Sequence, residues 1–210
     1  IGELTQKYGV FFVVDAISTI CADIFLMDKW HVDVSLLSSQ KALALPPGLS
    51  FLALNKKAKL RLENKTCQSY YFDIKAYLAN QKRGQMPFTP VIGHFMMLHE
   101  RLKEIKSHGI DYFVSHHSKL AEYFRKALQD LPLSFLPKSP SNALTAVSCP
   151  KEIDAFDLVK RLADDFNCFV APNGGDLKYR VFRVSHLGEQ NETDINFLIN
   201  ALEDTLNNFQ

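Results

Sequence analysis

Three short apolar runs near the start of the chain, residues 10–14, 32–37 and 49–54, constrain its fold more than any other feature. Each is five or six residues long, rich in β-branched and aromatic side chains and bounded by polar or turn-forming residues, which is the pattern of strands. Runs that are apolar on both faces call for strands covered on both sides, as in an α/β layered sheet. The third run follows Pro46-Pro47-Gly48, a tripeptide that cannot continue a helix and marks a tight turn. Between the first two runs, residues 23–31 are irregular and carry Trp30, the one tryptophan.

The rest of the chain reads as helices and then a smaller α+β unit. Residues 56–64 and 73–79 are helical stretches, and 81–88 is a loop. Thr89-Pro90 opens a long helix with Val91, Phe95, Leu98, Leu102 and Ile105 at helical spacing, Thr89 serving as N-cap and Pro90 in the first turn. Gly109 breaks it, and a further helix runs to about Leu128 with Phe113, Leu120 and Phe124 facing inward. Short strands at 133–136 and 143–148 come next, then a helix at 154–166 and a strand near 169–171. A turn at Pro172-Asn173-Gly174-Gly175-Asp176 leads to a strand at 179–184. The last helix, 194–207, shows Ile195, Leu198, Ile199, Leu202 and Leu206 at helical spacing. The expected division is 1–108, part of a large α/β domain, and 109–210, a small α+β domain.

Two polar residues sit where apolar strands end. Asp15 closes the first run, and Lys41 follows the second within Ser38-Ser39-Gln40-Lys41-Ala42-Leu43. A lysine and an aspartate so placed suit pyridoxal 5'-phosphate (PLP): the amine forms a Schiff base with the cofactor aldehyde, and the carboxylate holds the pyridine nitrogen protonated. An amine with an ordinary pKa of about 10.4 needs desolvation or a neighbouring cation to attack near neutral pH. A strand end hemmed in by Leu43, Leu45 and two prolines supplies such surroundings. Plainer readings stand beside these: Lys41 as a solvated surface lysine, and Asp15 as a cap for the turn that follows it.

At this point the residues resemble a family, the class V aminotransferases of the PLP-dependent aspartate-aminotransferase superfamily, and within it the alanine–glyoxylate, serine–glyoxylate and serine–pyruvate group. The resemblance lies in Val14-Asp15-Ala16-Ile17-Ser18, in Trp30-His31-Val32-Asp33-Val34, and in Ser38-Ser39-Gln40-Lys41-Ala42-Leu43 followed by Pro46-Pro47-Gly48. It continues in Tyr70-Tyr71-Phe72-Asp73, Phe88-Thr89-Pro90 and Phe182-Arg183-Val184-Ser185-His186-Leu187-Gly188. It implies an aspartate-aminotransferase-like fold, a partial large α/β domain with a smaller C-terminal α+β domain. It also implies a homodimer with shared active sites. Lys41 would be the Schiff-base lysine and Asp15 the partner of the pyridine nitrogen, with Ser18 orienting Asp15. Gln40 would contact the cofactor phosphate, and Thr89 would reach it from the neighbouring subunit. Arg183 would clamp the substrate carboxylate as a planar fork; its plainer reading is a surface or structural strand arginine. His186 reads as structural.

The activity implied is transamination between alanine or serine and glyoxylate or pyruvate. The alternatives are a 2-aminoethylphosphonate–pyruvate transaminase or a non-catalytic truncated homologue. Cysteine desulfurases usually place histidine before the lysine, where this chain has Gln40. Family members are considerably longer, and the expected missing part carries the phosphate loop and the aromatic residue stacked on the ring. The first eight residues read as the last turns of a helix with no cap before them, which suggests a piece of a longer protein.

Composition removes other classes. The 210 residues are 47% hydrophobic and 22% charged, with 24 basic and 23 acidic side chains well mixed for a net charge of +1. That balance gives no nucleic-acid surface and no polybasic membrane patch. The apolar runs are strand length, well short of a membrane span. Cys21, Cys67, Cys149 and Cys168 lack Cys-x-x-Cys spacing, which predicts thiols of a reducing cytosol and no metal site.

Overall fold

A computed structural model of the protein describes residues 1–209. The chain divides into two compact units: Ile1–Ile20 with Phe25–Ser107, and Cys21–Ile24 with everything from His108 onward. Among the described residues the architecture is α/β, with seven strands and seven α-helices.

The first unit begins with helix α1 (Gly2–Lys7) and a three-stranded sheet in the order β1 (Val13–Asp15), β2 (Val34–Ser38), β3 (Ser50–Leu54). β1 and β2 are parallel, with Asp15 opposite Leu36, and β3 returns antiparallel to β2. Parallel pairing puts the carboxyl ends of β1 and β2 at the same end of the sheet. Asp33 fixes that pairing from the turn before β2. It is 3% exposed, and its carboxylate accepts from the Phe12 amide at 2.8 Å, the Asn55 side-chain amide at 2.9 Å and the Lys57 ammonium at 3.0 Å. A buried carboxylate held by a backbone donor and a cation in this way ties three segments together.

Helices α2 (Lys56–Glu63), α3 (Ile74–Gln81) and α4 (Ile92–His108) complete the unit. Asn55 and Asp73 cap α2 and α3, accepting from Ala58 N and Lys75 N respectively. α4 starts later than its sequence suggests. Its first i→i+4 bond runs from Phe95 N to the Val91 carbonyl, so Val91 holds the capping position and Thr89 lies two residues upstream. Pro90, which has no N–H to give, stands outside the hydrogen-bonded turns. The expected two-sided cover of the strands is also incomplete: Val13 is 50% exposed and Leu52 47%. Leu102 and Phe95 on α4 are exposed too, and the buried residue of that helix is Arg101.

The second unit is a four-stranded antiparallel sheet with three helices packed on it. Its strands are β4 (Ser134–Phe135), β5 (Leu144–Ser148), β6 (Ala171–Pro172) and β7 (Val181–Ser185), in the order β4-β5-β7-β6. The helices are α5 (Ile110–Ala127), α6 (Ala155–Phe166) and α7 (Glu192–Asn207). Gly109, at φ 81°, makes the break between α4 and α5. Asp154 caps α6, accepting from the amides of Phe156 and Asp157. Asn191 and Asp194 form a reciprocal capping box on α7. One core joins all of these: Phe124 and Leu120 from α5, Val147 from β5, Phe182 from β7, Leu158 and Leu162 from α6, Leu198 and Leu202 from α7. Each fully buried side chain of this kind contributes about 1.5–3 kcal/mol. Asn173, Gly174 and Gly175 lie in the connection that joins antiparallel β6 and β7, which also holds a 3₁₀ turn at Gly175–Leu177. Cys21–Ile24 belongs here because its polar groups are satisfied here. Asp23 accepts from Ser141 Oγ and Asn142 N, the Ala22 carbonyl accepts from Asn142, and the Cys21 carbonyl meets His117 Nδ1 at 3.0 Å.

Candidate functional site

The carboxyl end of the first sheet carries four of the six residues singled out by sequence. Asp15 is the last residue of β1 and is exposed. Its Oδ1 accepts from the Ile17 amide at 2.9 Å, so it does cap the following turn, and one carboxylate oxygen remains for another partner. Ser18 is half-buried in that turn.

Lys41 lies in the loop between β2 and β3. This loop closes on Ser39, which is fully buried: its hydroxyl donates to the Pro46 carbonyl at 2.7 Å and accepts from Leu49 N at 3.2 Å. Ser39 N also bonds the Leu49 carbonyl, and Leu45 N bonds the Ser39 carbonyl. The Lys41 carbonyl accepts from Ala44 N at 2.8 Å, and Ala44 itself sits at φ 54°. A non-glycine residue in the left-handed region costs about 1 kcal/mol, which the surrounding bonds must over-determine. The Lys41 side chain is half-buried and its amine has no hydrogen-bond or ion-pair partner among the described residues. Gln40, exposed, accepts the Ser38 hydroxyl on its side-chain oxygen, which leaves its NH₂ as a donor.

The donor set therefore fits PLP at this end of the sheet. It offers a primary amine without a competing partner, a carboxylate with an open oxygen and a neutral amide donor, all at the strand ends where ligands of parallel α/β sheets bind. Thr89 is exposed in the loop before α4. Arg183 belongs to the second unit, on the exposed face of β7 between Ala146 and Ala171. Its Nη2 donates to the Pro172 carbonyl at 3.0 Å. It lines a cleft of about 580 Å³ with Phe169, Ser185, Thr193, Asp194 and Phe197.

His186 is fully buried, and its Nε2 meets Thr145 Oγ1 at 2.8 Å. Burial, with the Arg125 charge and His117 nearby, pushes its pKa down to about 4, which keeps it neutral at ordinary pH. Burial pushes the Cys149 thiol up to about 11, Asp154 adding to the effect, and raises Cys168 as well. Neither is a thiolate nucleophile at neutral pH. No group of three or more His, Cys, Asp or Glu among the described residues gathers as a metal site.

Sequence reasoning missed Asp33, which fastens the amino ends of β1 and β2, and Ser39, which holds the loop that leaves the carboxyl end of β2. Both left a signal: an aspartate inside Val32-Asp33-Val34 and a second serine before Lys41 are polar groups placed where burial is expected.

The family model described as Aminotransferase class-V matches residues 1–174. A serine–glyoxylate aminotransferase from Arabidopsis thaliana is 33% identical over 90% of this chain and 48% of its own length. An alanine–glyoxylate aminotransferase from Felis catus is 30% identical over 98% of this chain and 52% of its own. Among solved structures, an alanine–glyoxylate aminotransferase from Nostoc sp. superposes with a TM-score of 0.91 at 27% identity, covering 98% of this chain and 56% of the other. The chain spans about half the length of the curated relatives it matches. With the family model covering most of the chain and these relatives agreeing with it, the protein belongs to the class V aminotransferases.

Proposed function

We propose that the protein takes part in PLP-dependent transamination of a small amino acid, alanine or serine, with glyoxylate or pyruvate. The observation that carries this reading is that Asp15 ends β1 and Lys41 lies in the loop that leaves the carboxyl end of its parallel neighbour β2. The names of the relatives, serine–glyoxylate and alanine–glyoxylate aminotransferase, support the substrate class. When bound, PLP supplies an aldehyde to capture amino groups and a ring to accept electrons.

In this reading Lys41 holds the cofactor through its amine and, once released, carries a proton at Nζ. The open oxygen of Asp15 pairs with the pyridine nitrogen, with Ser18 alongside. The NH₂ of Gln40 donates to the phosphate, and Thr89 does so from the second subunit of a homodimer. Arg183, with one Nη committed to Pro172, uses its remaining donors on the substrate carboxylate. Exposed Tyr70, Phe72 and Met96 on the first unit are surface that a second copy would cover. No described helix is long and apolar enough to cross a membrane, and we propose a cytoplasmic location.

The test is the visible spectrum of the purified chain with PLP. The expected result is a band that borohydride fixes onto Lys41, that L-alanine or L-serine removes, and that glyoxylate or pyruvate restores. A band that responds to 2-aminoethylphosphonate instead would move the substrate class. No band at all would favour a second reading, a non-catalytic homologue.

A further inference from the structure

Arginine is an unusual choice for the buried position of a helix that has leucine, isoleucine and phenylalanine available. Yet Arg101 is 7% exposed while Leu102 beside it is 49% exposed. Burying a guanidinium is costly unless its charge is paired and its N–H groups are used. Arg101 uses them in two directions. Nη1 pairs with Glu104 one turn on, and Nη2 reaches the Ala42 carbonyl at 3.4 Å, across 59 residues of sequence. Ala42 is the covalent neighbour of Lys41.

A second side chain of α4 does the same at the other end of that loop. His94 lies seven positions before Arg101, two helical turns, and so on the same face. Its Nε2 is 3.2 Å from the Pro47 carbonyl. A carbonyl oxygen accepts and never donates, so Nε2 is the nitrogen that bears the proton. The ring packs so closely that a Cβ on Gly48 would fall 2.7 Å from Nε2, and Gly48 sits at φ 151°. The backbone conformation favours glycine there, and any other residue would also push the end of the His94 side chain aside.

The loop of residues 39–49 is thus held from within by Ser39 and from outside by two donors of α4, one on Ala42 inside the Lys41–Ala44 turn and one on Pro47 beyond it. We propose that α4 is a clamp on the lysine loop, and that His94 and Arg101 are positioning residues for Lys41, acting through the Pro47 and Ala42 carbonyls. The catalytic meaning of the clamp rests on the proposed role of Lys41; its mechanical meaning rests on the loop geometry. A shift of the Ala42 peptide moves the Lys41 backbone directly, and a misplacement of about 1 Å at a reacting group is enough to cost on the order of 10²-fold in rate.

The experiment compares the full chain with Arg101→Met, which keeps length and loses the donors, and His94→Phe, which keeps a ring and loses Nε2–H. Hydrogen exchange is followed on peptides covering residues 39–49, without cofactor. Both variants are expected to exchange about tenfold faster there, with peptides from β2 and β3 unchanged. With PLP added, borohydride labelling of Lys41, located by peptide mapping, is expected to slow about tenfold in both. Arg101→Lys, which keeps a cation, is expected to recover part of both effects. Unchanged exchange over residues 39–49 in both variants overturns the clamp, whatever the labelling shows. Faster exchange throughout the first unit overturns it as well, because that is the signature of a general structural role. A wild-type chain that takes no label while the loop responds as expected supports the clamp and counts against the proposed function of Lys41. Should Arg101→Met fail to fold, His94→Phe carries the same two readouts.

Discussion

Helices α4 and α5 are 17 and 18 residues long, follow one another through Gly109, and both carry an apolar stripe at helical spacing, yet they end in opposite environments. α5 buries Phe113, Leu120 and Phe124, whereas α4 leaves Phe95 and Leu102 exposed and buries Arg101. The contrast extends to the units around them. The second unit has one continuous core of large side chains shared by three helices and a sheet. The fully buried apolar residues of the first are mostly small, Ala16, Val32, Ala42 and Ala58, and its sheet is fastened by the polar contacts of Asp33. An apolar stripe is therefore a demand for cover, and the chain meets that demand from within itself only in the second unit. Exposed apolar surface of this extent marks interaction faces, in keeping with the homodimer proposed above.

The sharpest way to break this comparison is to remove the same side chain from each unit. Leu162 on α6 is fully buried and Leu52 on β3 is 47% exposed. Leu162→Ala is expected to cost about 2–5 kcal/mol through lost contacts and the cavity left behind. Leu52→Ala should cost less than about 1 kcal/mol. Urea unfolding followed by unit-resolved hydrogen exchange measures both, and equal losses would dissolve the contrast.

Acid should also act on the second unit first. The folded pKa of His186 lies near 4, against an ordinary histidine value of about 6.5. Between those values the unfolded chain binds more protons than the folded one, so stability falls as the pH is lowered through the window and is complete above it. The loss expected by pH 4 is about 3 kcal/mol. His186→Gln keeps a partner for Thr145 and should flatten this slope; an unchanged slope would place the acid sensitivity elsewhere.

In the first unit the corresponding handle is Asp33. Burial alone would raise its pKa, but the bonds from Phe12 N, Lys57 and Asn55 outweigh it and carry the carboxyl below its ordinary value. Its contribution is present above the unfolded pKa of about 3.9 and is lost as the pH falls through the lower folded value. At neutral pH, Asp33→Asn should cost about 1–3 kcal/mol, the worth of hydrogen bonds to a charged group. Trp30, the one tryptophan, lies in this unit and reports it by fluorescence. A midpoint unmoved by the substitution would show that the Asp33 contacts do not fasten the sheet.

Much of the second unit was legible because periodicity and caps agree there. Asp154 opens the helix expected at 154–166, and the apolar positions read at helical spacing in α7 are the ones that pack, although the Asn191 capping box starts that helix at Glu192, two residues before the expected 194. In the first unit the same periodicity misleads, since it cannot say whether α4 has a partner or that Arg101 takes the buried place. Thr89-Pro90 looks like a helix start, but only the bond from Phe95 N to Val91 O shows where the helix begins. The candidate site divides in the same way. Lys41 and Asp15 are readable as polar residues at strand ends. That both ends share one side follows from the parallel pairing of β1 and β2, which no local pattern specifies. The assignment of Cys21–Ile24 to the second unit depends on Asp23, Asn142 and His117, contacts spanning 96 to 120 residues.

The smallest expected stability change comes from the residue expected to matter most chemically. The Lys41 amine bonds to nothing among the described residues, and the loop is held through Ser39, the Pro46 and Leu49 backbone and the Lys41 carbonyl, none of which an alanine removes. Lys41→Ala should therefore leave the first unit's unfolding within about 0.5 kcal/mol of wild type, read by Trp30 fluorescence, while abolishing borohydride-fixed PLP labelling at that position. An amine left without a structural partner is available for the chemical role proposed for it. A loss of 2 kcal/mol or more, on the order of a core substitution, would mean that Lys41 is structural, and would move the chemistry away from this loop.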